Sequence, residues 1–389
     1  LGQVSREYKT IVVTGTHGKS TTTAMLGLIL EAAGLDPLVL VGSKVPGWPL
    51  GNLRLPNVPP PQSSPTRGEE VKRNSPPLVG GVWGGGTPWF VVEGDDYRDH
   101  FLELEPYAVV VTSIEHDHPD YFRDLVHTLE SFKTLAEKVP ADGFVILNED
   151  DKGCQRLLQL LPERSVGGVE GPSTSSGKKI FTYGKGSEIF SKLRLQVPGE
   201  FNRYNATAAA TAAMELGVAE EVIEKALHEF KGIWRRFEIV GQLHDSRFMI
   251  HDSPIIISDY GHHPTAIRET MKAAREAYPD RRLVLVYQPH QHSRTKHLFK
   301  DFVEALKDAA DVVIVSEIYA VKGRMEDKDV SSRDIVNKVR RYAGTKVSRI
   351  EYGGDLEHTK RIVLEQIKSG DVVIFMGAGD IDNLARKLI

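Results

Sequence analysis

The sequence predicts an α/β chain of two domains, each organised around a mostly parallel sheet. Three observations predict it. The run Thr10-Ile-Val-Val-Thr14 is apolar and β-branched, a Gly-rich turn follows it, and a helix pattern over about Lys19–Ala33 ends at Gly34. Strand runs then alternate with helical patterns along the first half of the chain. A second strand–helix series begins near Arg236, so the two domains are expected to meet near Gly232–Phe237. At 389 residues the chain is long for one domain and comfortable for two.

In chain order, Leu38-Val-Leu-Val41 reads as the second strand. From Ser43 to Pro88 the pattern collapses: the segment holds nearly half of the chain's 21 prolines and the run Gly84-Gly-Gly86. Such a stretch is unusual inside a domain. It is expected to be a mobile surface insertion without regular elements; a lid in which Trp48 and Trp83 pack is the alternative. Order returns at Trp89-Phe-Val-Val92, Ala108-Val-Val-Val-Thr112 and Gly143-Phe-Val-Ile-Leu147, with an amphipathic helix over about Asp124–Lys138. Helices are expected over the Ala-rich stretch Asn202–Leu216 and over about Glu220–Phe230. The second series has strands at Ile255-Ile-Ile-Ser258, Leu283-Val-Leu-Val286, Val312-Val-Ile-Val315 and Val372-Val-Ile-Phe375. The domains are therefore placed at 1–234, with the insertion at about 43–88, and at 235–389.

Composition excludes several classes. A formal net charge of −4 gives no broad basic surface for nucleic acid. No apolar run reaches the roughly 18–20 residues of a membrane-spanning helix, and the N-terminus reads as no signal peptide. The single cysteine, Cys154, forms no internal disulfide and fits a reducing cytosol. The expected location is cytoplasmic.

Chemistry concentrates at strand ends. Gly15-Thr-His-Gly18-Lys19-Ser20-Thr21 follows a strand and opens a helix, where backbone N–H groups and the helix dipole favour an anion. Here Gly15, Thr16, His17 and Gly18 form the cradle, Lys19 supplies positive charge for the β- and γ-phosphates, and the hydroxyl of Ser20 or Thr21 ligates Mg²⁺. A plain tight turn would account for Gly15 and Gly18 but not for Lys19. The loop is shorter than the usual P-loop, since Val13 stands where that loop has its first glycine. Glu93-Gly-Asp-Asp96 and Ile114-Glu-His-Asp-His118 end the next strands at the edge where parallel α/β sheets bind ligands. Glu93 supplies a hard oxygen for Mg²⁺. His118, which alone would more often be structural, gains weight from that setting.

These motifs together resemble the central ATPase domain of the muramyl ligase family. The likeness extends over nearly all the chain except the insertion. Val197-Pro-Gly-Glu-Phe-Asn202-Arg-Tyr-Asn205 resembles the family's adenine-side helix, which implies nucleotide contacts for Asn202 and Asn205. Phe201 departs from the family there, where alanine-adding members often carry His. Gly232-Ile-Trp-Arg235-Arg236 resembles the domain junction, and Asp259-Tyr-Gly-His262-His263-Pro264 the start of the C-terminal, Rossmann-like domain. Tyr287-Gln-Pro-His290-Gln-His-Ser-Arg294-Thr295 and Met376-Gly-Ala-Gly-Asp-Ile381 resemble the alanine-adding branch.

The resemblance implies a P-loop ATPase that joins L-alanine to the carboxylate of UDP-N-acetylmuramate through an acyl phosphate, with ATP and Mg²⁺. It implies Ser20 and Glu93 on one Mg²⁺ and His118 on a second, Arg235 or Arg236 at the γ-phosphate, and His290 and Arg294 facing the amino acid. The two arginines as an ion-paired domain contact are the plainer alternative. Asp259 either holds the ribose or caps the helix that begins near Pro264; of His262 and His263, one is expected to be structural. The family's uridine-binding N-terminal domain is absent from the sequence, and Arg6–Thr10 resembles the lead-in to the second domain, so upstream sequence is expected to have been removed. Lys133, fifteen residues after His118, stands at about the distance of a lysine that several family members carbamylate; a solvated helix lysine is the alternative. Other functions left open are the tripeptide-adding recycling ligase of the family, a folylpolyglutamate synthase-like ligase, and a nucleotide-binding fragment without turnover.

Overall fold

The computed structural model describes residues 1–57, 88–161, 178–243, 245–248, 252–321, 328–342 and 347–389. It divides into two compact units. The first comprises Leu1–His116, Asp124–Gln196 and Arg203–Lys231; the second comprises Asp117–Arg123, Val197–Asn202 and Gly232–Ile389.

The first unit is built on a seven-stranded sheet: β1 Lys9–Thr14, β2 Leu38–Leu40, β3 Leu53–Arg54, β4 Trp89–Glu93, β5 Ala108–Val111, β6 Phe144–Asn148 and β7 Lys179–Tyr183. Their order is β3-β2-β4-β1-β5-β6-β7, parallel throughout except for the short antiparallel pair of β2 with β3. Strands such as Ala108–Val111 are buried along their whole length, as a parallel sheet covered on both faces requires. One face packs Phe90, Val92, Val109 and Val111 against Leu129, Phe132 and Leu135 of the helix Leu125–Glu137 and Leu157 of the helix Lys152–Leu160. The helix Glu200–Glu215 is rich in alanine, and Ala206, Ala208, Ala209, Ala210, Ala212 and Ala213 are all fully buried. With β4, β1 and β5 adjacent, their C-terminal ends lie side by side, so the loops after them share one edge.

The second unit has a six-stranded sheet: β8 Glu238–Gln242, β9 Ile255–Asp259, β10 Leu283–Tyr287, β11 Val312–Ser316, β12 Arg349–Gly354 and β13 Val372–Met376. The order is β12-β11-β10-β13-β9-β8, with only β8 antiparallel. Leu283, Leu285 and Tyr287 face the helices Pro264–Ala277 and Phe299–Leu306, while Val284 and Val286 face Leu384 and Ala385 of the helix Ile381–Arg386. β9, β10 and β13 end next to one another and carry the second set of polar motifs.

The insertion is not irregular from its start. Val45 and Trp48 are buried, with Trp48 only 9% exposed, and β3 lies within the stretch that the proline pattern left without elements. An alanine-sized side chain at Gly27 would meet the Trp48 ring at 3.5 Å, so that ring lies over the helix Lys19–Ala32. Arg54 fixes the segment through Asp36 at 2.7 Å and Glu31 at 3.0 Å. A buried aromatic and a paired arginine here outweigh the proline content. Trp83 and the remainder of the insertion, residues 58–87, lie outside the described residues.

Candidate active site

In the first unit, β1 runs into the loop Gly15–Gly18 and then into the helix Lys19–Ala32. Gly18 is that helix's N-cap with φ +85°, and no side chain caps the first turn. A helix N-terminus reached through a glycine turn, with its dipole, suits an anion. Gly15 has φ +132°, and a Cβ on it would fall 2.3 Å from Thr112 Oγ1. Thr112, just after β5, holds the loop by donating to the carbonyls of Thr14 and His17. The amides of Thr16 and His17 donate to the carbonyl and the hydroxyl of Ser113. His17 Nε2 lies 3.4 Å from Glu115 Oε2.

The side chains beyond the loop converge. Ser20 Oγ donates to Glu93 Oε1 at 3.0 Å, and the Gly42 amide donates to Glu93 Oε2. Thr21, the other candidate hydroxyl, is buried in the helix. Lys19 Nζ donates to the Gly15 carbonyl and to Asp96 Oδ1, 2.8 Å away. A hydroxyl and a carboxylate 3.0 Å apart form a hard-oxygen pair that fits Mg²⁺. Asn205 is buried against the loop, its Oδ1 2.2 Å from where a Gly18 Cβ would stand. Lys133 lies 3.7 Å from Glu137 one turn on, the arrangement of a solvated helix lysine. Cys154 is fully buried, and burial, followed by the nearby Asp151 carboxylate, pushes its thiol well up, disfavouring the thiolate.

The second unit gathers the other candidates. Arg294 is 1% exposed in the short helix His292–His297. Its Nε donates to Asp117 Oδ1 at 2.9 Å, and its Nη2 lies 2.7 Å from the same oxygen as an ion pair. Its Nη1 lies 3.3 Å from His290 Nδ1, and Nη2 lies 3.4 Å from His118 Nδ1. The His290 ring stacks on Tyr319, with centroids 5.6 Å apart, and lies 5.7 Å from the His262 ring. Burial alone would raise the Asp117 carboxyl, but the Arg294 guanidinium and then the imidazoles of His118, His262 and His263 hold it well below the carboxylate range. His262 moves well down because burial and then Arg294 disfavour its cation.

Arg235 is buried and donates through Nη2 to the carbonyls of Gly377 and Gly379, in the Gly-Ala-Gly motif after β13. Its guanidinium lies 5.0 Å from the Tyr260 ring centroid, and that of Arg236 lies 4.9 Å from the same ring. Asp259 accepts from the amides of Phe237 at 2.8 Å and Gly261 at 2.7 Å, so its carboxylate pins the junction. The helix that begins at Pro264 is capped by His263, whose Nδ1 accepts from the Thr265 amide, and not by Asp259. Asn202 donates to the Pro198 carbonyl at 2.7 Å, and Phe201 packs against the core of the second sheet.

The structure therefore brings Lys19, Ser20, Glu93 and Asn205 together in one unit, and His118, His262, His290 and Arg294 in the other. Sequence reading missed Asp96 as partner of Lys19 and Asp117 as partner of Arg294, although both stand inside motifs already singled out. Tyr319 carried no signal, because only the bridge between residues 290 and 319 brings it to His290.

The chain matches the Mur ligase middle domain over residues 13–213 and the Mur ligase glutamate ligase domain over residues 235–379. The UDP-N-acetylmuramate–L-alanine ligase of Caldanaerobacter subterraneus subsp. tengcongensis is 32% identical over 403 aligned positions, covering 100% of this chain and 77% of that protein. The ligase of the same name from Caldicellulosiruptor bescii is 33% identical over 395 positions, covering 98% of this chain and 76% of that protein. Among solved structures, the UDP-N-acetylmuramate–alanine ligase of Thermotoga maritima matches with a TM-score of 0.70 at 23% identity, over 99% of this chain and 76% of that one. A murein peptide ligase from Psychrobacter arcticus matches with a TM-score of 0.62 at 20% identity, over 98% of this chain and 77% of that one. At those identities the two structures speak for the fold. The chain belongs to the Mur ligase family. It is accordingly an ATP-dependent peptide ligase of cell-wall precursor synthesis.

Proposed function

We propose that the chain joins L-alanine to the carboxylate of UDP-N-acetylmuramate. Residues 1–234 would hold the phosphates of the nucleotide, and residues 235–389 the amino acid together with further contacts to the nucleotide. The observation that carries this reading is the cluster after β10, where Arg294 presents a guanidinium beside His290. A buried guanidinium suits the carboxylate of a small amino acid. The names of the relatives that are 32% and 33% identical support the same substrate.

A carboxylate is a poor electrophile. The γ-phosphoryl group of ATP therefore passes to a carboxylate oxygen of the sugar nucleotide, breaking the bond to the bridging β–γ oxygen and leaving ADP. The neutral amine of alanine attacks the acyl phosphate, the tetrahedral intermediate expels phosphate, and the amine proton goes to solvent or to that phosphate. Such transfer needs positioning and neutralisation of charge more than covalent assistance. Gly15, Thr16, His17 and Gly18 would cradle the phosphates, with Lys19 neutralising the β- and γ-groups. Ser20 and Glu93 would hold Mg²⁺, which supplies further charge neutralisation when bound. His118 is the candidate for a second ion, Arg236 for the γ-phosphate, and Asn202, Asn205, Arg235, Asp259 and His262 for the nucleotide side.

The test is phosphate release from ATP with UDP-N-acetylmuramate and a panel comprising L-alanine, glycine, L-serine and the cell-wall tripeptide. Release with L-alanine, and formation of the alanyl product by mass, is the expected result. Release only with the tripeptide would move the chain to the recycling branch. ATP binding with no release from any acceptor would favour a nucleotide-binding fragment.

A further inference from the structure

The Arg294 guanidinium has five N–H donors, and the geometry of its surroundings divides them unequally. Asp117 Oδ1 accepts from Nε at 2.9 Å and lies 2.7 Å from Nη2, both charge-assisted distances. The contacts on the remaining side, to His290 and His118 at 3.3 and 3.4 Å, are long for hydrogen bonds. The carboxylate is itself fixed, since the His118 amide donates to Asp117 Oδ1 at 2.7 Å. Both flanks of the pair are strained: His118 has φ +54° and Gln291 has φ +68°, backbone values that non-glycine residues rarely adopt. Arg294 and Asp117 are 1% and 7% exposed, whereas His118 and His290 are partly open to solvent.

We propose that Asp117 is the positioning residue of the amino-acid site: it locks the Arg294 guanidinium plane, so that the edge now facing His290 and His118 is presented to the carboxylate of the incoming amino acid. The proposal rests on the reading of Arg294 as the amino-acid clamp. An incoming carboxylate displaces the two long imidazole contacts and leaves the two short ones in place. A guanidinium held on one side has already lost its rotamer freedom, so less is lost when the second side binds. A neutralised guanidinium also selects its ligand by the fit of two donors rather than by raw charge.

The test uses ¹⁵N-arginine spectra of the whole chain with an unhydrolysable ATP analogue and UDP-N-acetylmuramate. The Arg294 Nε–H resonance is assigned by its loss in Arg294→Lys. It is expected to exchange slowly in the wild type, faster in Asp117→Asn and fastest in Asp117→Ala, with unchanged thermal midpoints required of the variants used. L-alanine should shift it, and Asp117→Asn should need about tenfold more alanine for the same shift. In turnover the change should fall on KM for the amino acid and not on KM for ATP. A shift produced by another amino acid, and not by L-alanine, would sink the L-alanine reading while leaving the positioning role standing. Unchanged or tighter binding in Asp117→Asn would overturn the proposal, since Asp117 would then be neutral or a competitor for the guanidinium. No shift of Arg294 with any amino acid would overturn it as well.

Discussion

Lys19 of the phosphate loop donates to Asp96, 2.8 Å away, and the pair is mostly enclosed, with 17% of the lysine side chain and 4% of the aspartate side chain exposed. The lysine is therefore already engaged before any phosphate is considered. Lys19→Ala is expected to abolish ATP turnover. It is also expected to lower stability by about 1–3 kcal/mol, because it leaves a buried carboxylate without that cation. The double variant Lys19→Ala/Asp96→Asn should recover most of the stability and none of the turnover. Denaturation midpoints of the four proteins in that cycle measure the coupling. Equal stability of Lys19→Ala and wild type would mean that the pair contributes nothing to the fold.

The two adjacent arginines of the junction are expected to separate experimentally. Arg235 is buried and bonded to the carbonyls of Gly377 and Gly379, and it holds φ +56°. Arg235→Ala should cost about 1–3 kcal/mol by leaving two carbonyls without those donors. Arg236→Ala should lower the thermal midpoint less than Arg235→Ala does, since Arg236 is only half-buried whereas Arg235 is buried. Under the proposed γ-phosphate role it should lower kcat at least tenfold, a loss of about 1.4 kcal/mol of transition-state binding. A destabilised Arg236→Ala with intact kcat would reverse the two assignments.

The parts of the fold legible in the sequence are those whose local pattern and tertiary role coincide. Ile11, Val12 and Val13 are apolar because β1 is covered on both faces, and Lys19-Ser20-Thr21 opens a helix because the glycines before it permit the turn. β3, β7, β8 and β12 were not read from the sequence. β8 lies at the sheet edge with Ile239 exposed, and β12 starts at an exposed Arg349, so neither has the buried run that marks a central strand. Trp48 is buried by a loop among prolines, and no periodicity announces such a contact. The site was read in halves for the same reason. Motifs name the residues at strand ends, but pairings such as Asp117 with Arg294 join positions far apart in the chain and arise only from tertiary packing.

His262 gives the second unit a defined acid response. Burial, then Arg294, holds its imidazole well below the ordinary value, while the Asp117 carboxylate opposes them. In the unfolded chain it titrates near about 6.5. Between the two values the unfolded state binds the extra proton, so stability falls as pH drops below about 6.5, by up to ~1.4 kcal/mol per pH unit. His262→Gln removes this contribution. Subtracting its denaturation midpoints from those of the wild type between pH 7.5 and pH 5 should leave a difference that widens towards acid. A flat difference would show that His262 is as easily protonated folded as unfolded.

Gly18 carries two constraints at once. Its φ of +85° is a conformation that disfavours any side chain, and a Cβ there would stand 2.2 Å from Asn205 Oδ1. The first constraint costs roughly 1–2 kcal/mol for alanine. The second cannot be met without displacing either the helix start or Asn205, which is buried in the Ala-rich helix Glu200–Glu215. Moving the helix start turns its N-terminal dipole away from the phosphates. Moving Asn205 disturbs the side chain proposed for the nucleotide. Gly18→Ala is therefore expected to weaken ATP-analogue binding by at least tenfold, about 1.4 kcal/mol, and to lower the thermal midpoint together with it. Asn205→Ala opens space at that oxygen, so the double variant Gly18→Ala/Asn205→Ala should regain stability relative to Gly18→Ala alone. Titration calorimetry with the analogue and thermal denaturation on the same samples check both parts. If the double variant is no more stable than Gly18→Ala, backbone conformation alone makes glycine necessary at this position.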